Sequence, residues 1–342
     1  MKQESTTAEK HPTFMELHKQ TARFMTPSLR HSLGQIANTF IPYAALWAMM
    51  IYTINSGYPY WATFLLVLPA SALLIRLFII FHDCCHTSFF KSQRANQVIG
   101  FIFGVITLTP YSEWGTAHLE HHSTVANLER RGIGDVWTMT VAEYRNANFW
   151  MRLGYRLVRN PLVMFGLGPI WVFFIRNRFS HKGASRAEWT SVLLTNLAIL
   201  GLLVLSYFTI GLKTFLLIEL PIQYIGGMLG IWLFYVQHQF DPTHWYPAEN
   251  WDYMTASIFG SSYYKLPKIL QWISGNIGLH HVHHINPRIP NYSLQACLDA
   301  TPFLQQVVPL TILGSLKTVT MNLWDEEKER LVSFRSLRKR AS

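Results

Sequence analysis

Four apolar stretches, each about the length needed to cross a bilayer, set the terms on which this chain can fold. They come in two pairs. The first is roughly Gln35–Ile54 and Trp61–Phe81, joined by the short NSGYPY turn; the second is roughly Trp189–Ile210 and Phe215–Gln237, joined by a few residues around Gly211. Each pair reads as a helical hairpin that enters and leaves on the same side. Two shorter runs, Gln97–Pro110 and Pro161–Ile175, better suit re-entrant or interfacial helices or buried core.

Basic residues orient the hairpins. Of 29 Lys and Arg, five precede Gln35, twelve lie between Phe81 and Trp189, and ten follow Gln237. Only Lys213 falls in a far-side turn, and Arg76 lies inside a span. The positive-inside rule then puts both termini and the long middle segment in the cytoplasm, in the inner membrane of a cell with no signal peptide on this chain. Charged residues make up only 14% of the sequence, yet mean hydropathy is just +0.14, so a substantial water-facing part accompanies the spans. The net charge of +10 fits anionic lipid better than nucleic acid, since no basic groove with stacking aromatics is visible. Three cysteines, two of them adjacent, make no disulfide framework. The chain reads as residues 1–34 at the N-terminus, one membrane domain over 35–300, and a C-terminal segment over 301–342 with a basic tail.

Histidine placement carries the chemistry. His82 and His86 stand four apart; His118, His121 and His122 follow an i, i+3, i+4 pattern, and His280, His283 and His284 repeat it. On a helix such residues lie one turn apart, so each cluster can aim two or three nitrogens at one point. His238 follows the fourth span as His82 follows the second. Every one of these sites falls on the same predicted side of the membrane. His11, His18, His31, His181 and His244 lack such partners and read as structural. His281 is either a competing ligand or a donor supporting one. A four-ligand zinc site would not use this many imidazoles; two metals with four or five ligands each would, and imidazole alone does not choose among iron, copper and nickel. Cys84 and Cys85 read as small buried neighbours rather than thiolates. Asp83, Glu120 and Asp241 stand beside candidate ligands and could orient ring N–H groups. Arg130 and Arg131, and Arg152 and Arg156 on an amphipathic stretch, are candidate contacts to lipid phosphate or a protein partner.

The set HDCCH, HLEHH and HHVHH at these distances resembles the membrane fatty acyl desaturases, most closely the bacterial acyl-lipid branch with delta-5 phospholipid and delta-12 enzymes. NLERRGIGDVWTMTV, FWMRLGYRLVRNP, YVQHQFDPTHW and HHINPRIPNYSL extend the likeness from about Gln35 to Asp299. The resemblance implies an all-α integral membrane protein of two transmembrane hairpins, with a cytoplasmic helical cap holding a di-iron centre. By motif, its ligands would be His82, His86, His118, His121, His122, His280, His283 and His284, with His238 completing the set. It also implies O2 as co-substrate, two iron ions, phospholipid acyl chains as substrate and a separate electron donor such as ferredoxin or flavodoxin. Two rival readings share part of this pattern. A membrane hydroxylase, alkane monooxygenase or carotenoid ketolase uses similar boxes. A metal transporter would instead line a path near the bilayer midplane, where this sequence offers little.

Overall fold

The structure, a computed structural model, describes residues 12–132, 134 and 136–340, the last three by backbone only. His11 lies outside the described residues. The chain is mainly helical. A short helix α1 (Phe14–Ala22) leads into two long ones, α2 (Leu29–Asn55) and α3 (Tyr60–Cys85), which form the first expected hairpin. Buried Ser32, Gln35, Thr39, Tyr43 and Met50 mark one stripe of α2. The turn to α3 passes through Gly57 and Pro59. Helix α3 is apolar on all sides, with a mean hydropathy of 2.5, and is the most enclosed of the long helices. It packs against α2 on one flank and against α9 (Leu212–His238) on another. Contact with α9 is close: a Cβ on Gly226 would stand 2.8 Å from Leu74 Cδ2 and 3.4 Å from the Ser71 carbonyl oxygen, so a larger residue would make Leu74 shift.

Between the hairpins come α4 (Gln93–Ile106) and α5 (Tyr111–Thr124), joined by a short turn. The start of this turn is fixed from the bundle, because Gln223 Nε2 on α9 donates to the Ile106 carbonyl. The run expected as re-entrant or buried over Gln97–Pro110 is thus α4 and its turn. After α6 (Val141–Asn146), helix α7 (Phe149–Val158) meets a largely π-helical stretch reaching Arg178 at a bend of 62°. Helix α8 (Arg186–Phe208) begins with a Ser185–Glu188 capping box. It exposes Leu193, Leu197, Leu200, Leu205 and Phe208, a surface that suits lipid and not water.

Among the described residues, three helices, α3, α8 and α9, are long and apolar enough to cross a membrane, and the bent pair around Asn160 would make a fourth. The first expected span lies within α2, which has the length but is less apolar, being interrupted by Asn38, Thr39, Pro42 and Tyr43.

Past α9, the chain folds over the ends of α3, α5 and α9 through α10 (Tyr253–Phe259), α11 (Lys268–Ile273) and α12 (His280–Ile285). This region departs from the purely helical expectation. Leu323–Asp325 pairs with Met139–Thr140 and with Arg330–Val332, while Pro309–Leu310 pairs with Tyr263–Tyr264. The strands are two or three residues long, too short to leave a periodic trace in sequence. They tie the C-terminal segment to the middle of the chain.

Candidate metal centre

Four helices deliver the nine clustered histidines to one place. His82 sits in the last turn of α3 and His86 caps that helix. His118, His121 and His122 stand on α5, His238 ends α9, and His280, His283 and His284 lie on α12. All nine are buried. They form two groups whose ligand atoms lie within 4.8 Å of one another: His82, His86, His118, His122 and His283 in one, and His121, His238, His280 and His284 in the other.

This partition corrects the expectation that each cluster aims at a single point. Residues at i and i+4 serve the same group, as in His82/His86, His118/His122 and His280/His284, whereas the i+3 residue serves the other. The helix explains it. At about 100° per residue, i+3 and i+4 fall on opposite sides of residue i, about 100° apart. So α5 and α12 each bridge both groups. The rings of His122 and His284 stack at 4.1 Å between centroids where the groups meet.

The nitrogens are spaced for metal. Nε2 atoms face each other at 3.1 Å in His118–His122 and His122–His283. In the other group, His121–His238, His238–His280 and His280–His284 stand at 3.0 Å. Two nitrogens about 2.1 Å from one ion are about 3.0 Å apart at a right angle, and about 3.4 Å apart at a tetrahedral one. The spacing is close to that of two ligands at a right angle on one ion. Nε2 of His82 and of His86 are buried with no hydrogen-bond partner, as atoms awaiting an ion would be. Burial, reinforced by neighbouring rings, holds His86, His118, His122, His280, His283 and His284 well below the usual histidine range. They stay neutral, with lone pairs free to bind.

Among the described residues, the rings of His82 and His238 are oriented from behind. His82 Nδ1 lies 3.2 Å from Asp83 Oδ1. Asp83 Oδ2 in turn accepts from the backbone N–H of Asn291 at 2.7 Å and from its side-chain amide at 2.8 Å. Asn291 Oδ1 accepts from Gln35 Nε2, so the network reaches α2. His238 Nδ1 donates to the Gly260 carbonyl at 3.0 Å. Sequence reasoning named Asp83 but missed Asn291, Gln35 and Gly260. Asn291 lies in the HHINPRIPNYSL stretch, which was the only hint; a backbone carbonyl leaves none.

Other candidates stand apart. Glu120 is half-buried and makes no bond to a ring among the described residues. Asp241 faces Arg330 at 3.7 Å. His281 joins neither group; its Nε2 donates to the Leu304 carbonyl at 3.1 Å, and burial pushes it down to about 4. Cys84 packs in the core, and the Cys85 thiol faces the Tyr111 carbonyl. Arg131 pairs with Glu143, and Arg156 bonds the Tyr144 hydroxyl and lies 4.8 Å from the Phe334 ring; Arg130 and Arg152 are exposed. His18 lies tilted against Phe14, while His31 stacks on Tyr292 and His244 on Tyr246. His181 meets Glu113 and Glu188 in a separate, acidic group. There Arg176 already offsets Glu113 and Ser185 N–H holds Glu188, so the group pins α8 to α5.

Comparison with known proteins gives the family. The fatty acid desaturase family profile matches residues 57–307. A fatty acid desaturase of Bacillus subtilis (strain 168) is 47% identical over 94% of this chain and 91% of its own. The chain belongs to the fatty acid desaturase family. More distant relatives include a Nostoc sn-1 acyl-lipid omega-3 desaturase (ferredoxin), 25% identical over 81% of this chain and 77% of its own. A Synechocystis sn-1 oleoyl-lipid 12-desaturase is 22% identical over 73% of each. As a member of this family, the chain is an oxidoreductase acting on fatty acyl lipids.

Proposed function

We propose that this desaturase holds two iron ions, one in each histidine group, and uses O2 and electrons from a separate ferredoxin or flavodoxin to desaturate acyl chains esterified in membrane phospholipid. The observation that carries this reading is the division of nine buried imidazoles into groups of five and four with right-angle spacing. His82, His86, His118, His122 and His283 would hold one ion, and His121, His238, His280 and His284 the other. Such a centre supplies the oxidising power to remove hydrogen from an unactivated methylene, which no side-chain acid or base can do. The protein's part is to aim. Asp83 and the Gly260 carbonyl fix two ring orientations, and the buried shell keeps the imidazoles neutral and water away. An acyl chain must also be held, since a displacement of about 1 Å can cost about a hundredfold in rate.

Four spans with the histidines on the cytoplasmic side of the inner membrane remain the topology that fits best. Exposed Leu33, Ile41 and Met49 on α2 favour lipid contact there despite its polar interruptions. Lys and Arg gather at the histidine end of the long helices, as the positive-inside rule requires. Lipid-linked substrate and ferredoxin are supported by the names of the Nostoc and Synechocystis relatives. The test is a fatty-acid profile by gas chromatography with mass spectrometry of bacteria expressing the chain, with ferredoxin and its reductase supplied and His283→Ala as control. New double bonds in wild-type lipids only, with about two irons per purified chain, are expected. Hydroxylated chains in place of alkenes, or one metal per chain, would overturn the proposal.

A further inference from the structure

The arginines and lysines of this chain find partners unevenly. Arg131 and Arg176 each face a carboxylate, and Arg156 lies over aromatic rings. Two arginines are buried with no carboxylate partner among the described residues, Arg159 and Arg76; Arg159 is held by Gln239 and the Met321 carbonyl, whereas Arg76 lines a cavity. Arg76 sits on α3 only 7% exposed, six residues before His82. Its Nε donates to Thr39 Oγ1 at 3.1 Å, its guanidinium reaches the Trp272 carbonyl, and its charge lies 4.1 Å from the Trp272 ring. These contacts orient the group without neutralising it. A buried cation left uncompensated is costly, and inside a membrane protein it marks a site that meets an anion.

Arg76 opens onto a cavity of about 330 Å3. The lining supplies a second cation, Lys268, with amides from Gln271, Asn276 and Asn291 and the rings of Trp272 and Tyr292; it includes no acidic residue. Lys268 begins the short helix α11, where Ile269, Leu270 and Trp272 are exposed. Exposed apolar side chains beside a cationic pocket, at the end of a spanning helix, suit the boundary between acyl chains and headgroups. Along α3, Arg76 lies about 9 Å from His82. Asn291, part of the cavity wall, also bonds Asp83 behind His82.

We propose that Arg76 and Lys268 form a binding site for the phosphate ester of a membrane glycerolipid, and that this site holds the headgroup of the lipid whose acyl chain is desaturated. Guanidinium and ammonium groups both favour phosphate oxygens; the amide NH2 groups of Gln271, Asn276 and Asn291 already donate to Gln295, the Asn291 carbonyl and Asp83 and shape the wall. The assignment to lipid, and not to soluble phosphate, comes from the apolar face of α11 beside the cavity. The inference rests on the reading that the acyl chain is carried on a membrane lipid.

The test uses full-length protein in dodecyl maltoside micelles and a fluorescent phosphatidylglycerol probe. Competitors are dioleoylphosphatidylglycerol, dioleoylglycerol with the same chains but no phosphate, and inorganic phosphate. Phosphatidylglycerol should compete about tenfold more strongly than dioleoylglycerol. Arg76→Gln should abolish that preference, Lys268→Gln should reduce it several-fold, and Lys268→Arg should retain it. Because Lys268 is exposed, its variants decide the matter even if Arg76→Gln does not fold. Equal competition by the two lipids, or an unchanged preference in Lys268→Gln, would overturn the site. Displacement by inorganic phosphate at lower concentration than by the lipid would overturn its assignment to lipid. Lipid products measured in the same strains separate the two claims. Double bonds without phosphate preference sink only this inference; phosphate preference without double bonds sinks the substrate reading on which its catalytic role depends.

Discussion

His238 Nδ1 donates to the carbonyl oxygen of Gly260 at 3.0 Å, and this bond decides which ring nitrogen faces the four-histidine group. A carbonyl can only accept, so the proton is on Nδ1 and the Nε2 lone pair points inward. Gly260 is itself confined: a Cβ there would stand 2.5 Å from the Ala256 carbonyl oxygen and 2.6 Å from Ala126 Cβ. Gly260→Ala must therefore shift the carbonyl that orients His238. The expected result is metal content falling from about two toward one ion per chain, and desaturation falling roughly tenfold or more. Metal analysis of the purified variant, beside its lipid profile, checks both; full occupancy with normal activity would show that the bond does not matter.

Asp83 answers to donors on both sides. One oxygen faces His82 Nδ1, and the other accepts two N–H groups of Asn291. In Asp83→Asn, either orientation of the amide turns its NH2 toward a buried donor. We expect metal affinity to fall by about ten- to a hundredfold, measured as the chelator concentration that removes half the metal. Loss at the wild-type concentration would count against an orienting role for the carboxylate.

These two residues show what the sequence could disclose. Asp83 adjoins a clustered histidine, so its role was readable by proximity. Gly260 lies 22 positions from His238 and acts through its backbone, which carries no residue signature. The long apolar helices were legible because bilayer thickness dictates their length. The assignment of histidines to groups was hidden, since spacing states which residues share a face and not where other helices place the second focus. Asp241 adjoins a candidate ligand stretch much as Asp83 does, yet a bend of chain turns it toward Arg330. Adjacency in sequence therefore proposes partners, while tertiary packing selects among them.

His281 separates packing from ligation. It stands between His280 and Val282, but its Nε2 donates to the Leu304 carbonyl, outside both groups. His281→Phe should leave metal content at the wild-type value and cost about 1–3 kcal/mol of stability, because the Leu304 carbonyl loses a buried donor. His280→Phe should lose metal from one group. Thermal melts and metal analysis of the pair decide it; metal loss in the His281 variant equal to that in the His280 variant would make His281 a ligand after all.

Removing metal should loosen the junction of four helices. Each group draws nitrogens from at least three elements: α3, α5 and α12 for one, and α5, α9 and α12 for the other. An ion bound to either group stabilises the folded chain by about 2.7 kcal/mol at a hundred times its dissociation constant. Chelated protein should therefore melt several degrees lower, and ferrous iron added without oxygen should restore the loss. The two groups can be separated. His86→Ala damages only the five-histidine group and His284→Ala only the other, so each variant should recover part of the wild-type shift and bind about one ion. If either substitution abolished all iron-dependent stabilisation, the groups would have to be treated as one cooperative site, and the one-ion-per-group assignment would fail.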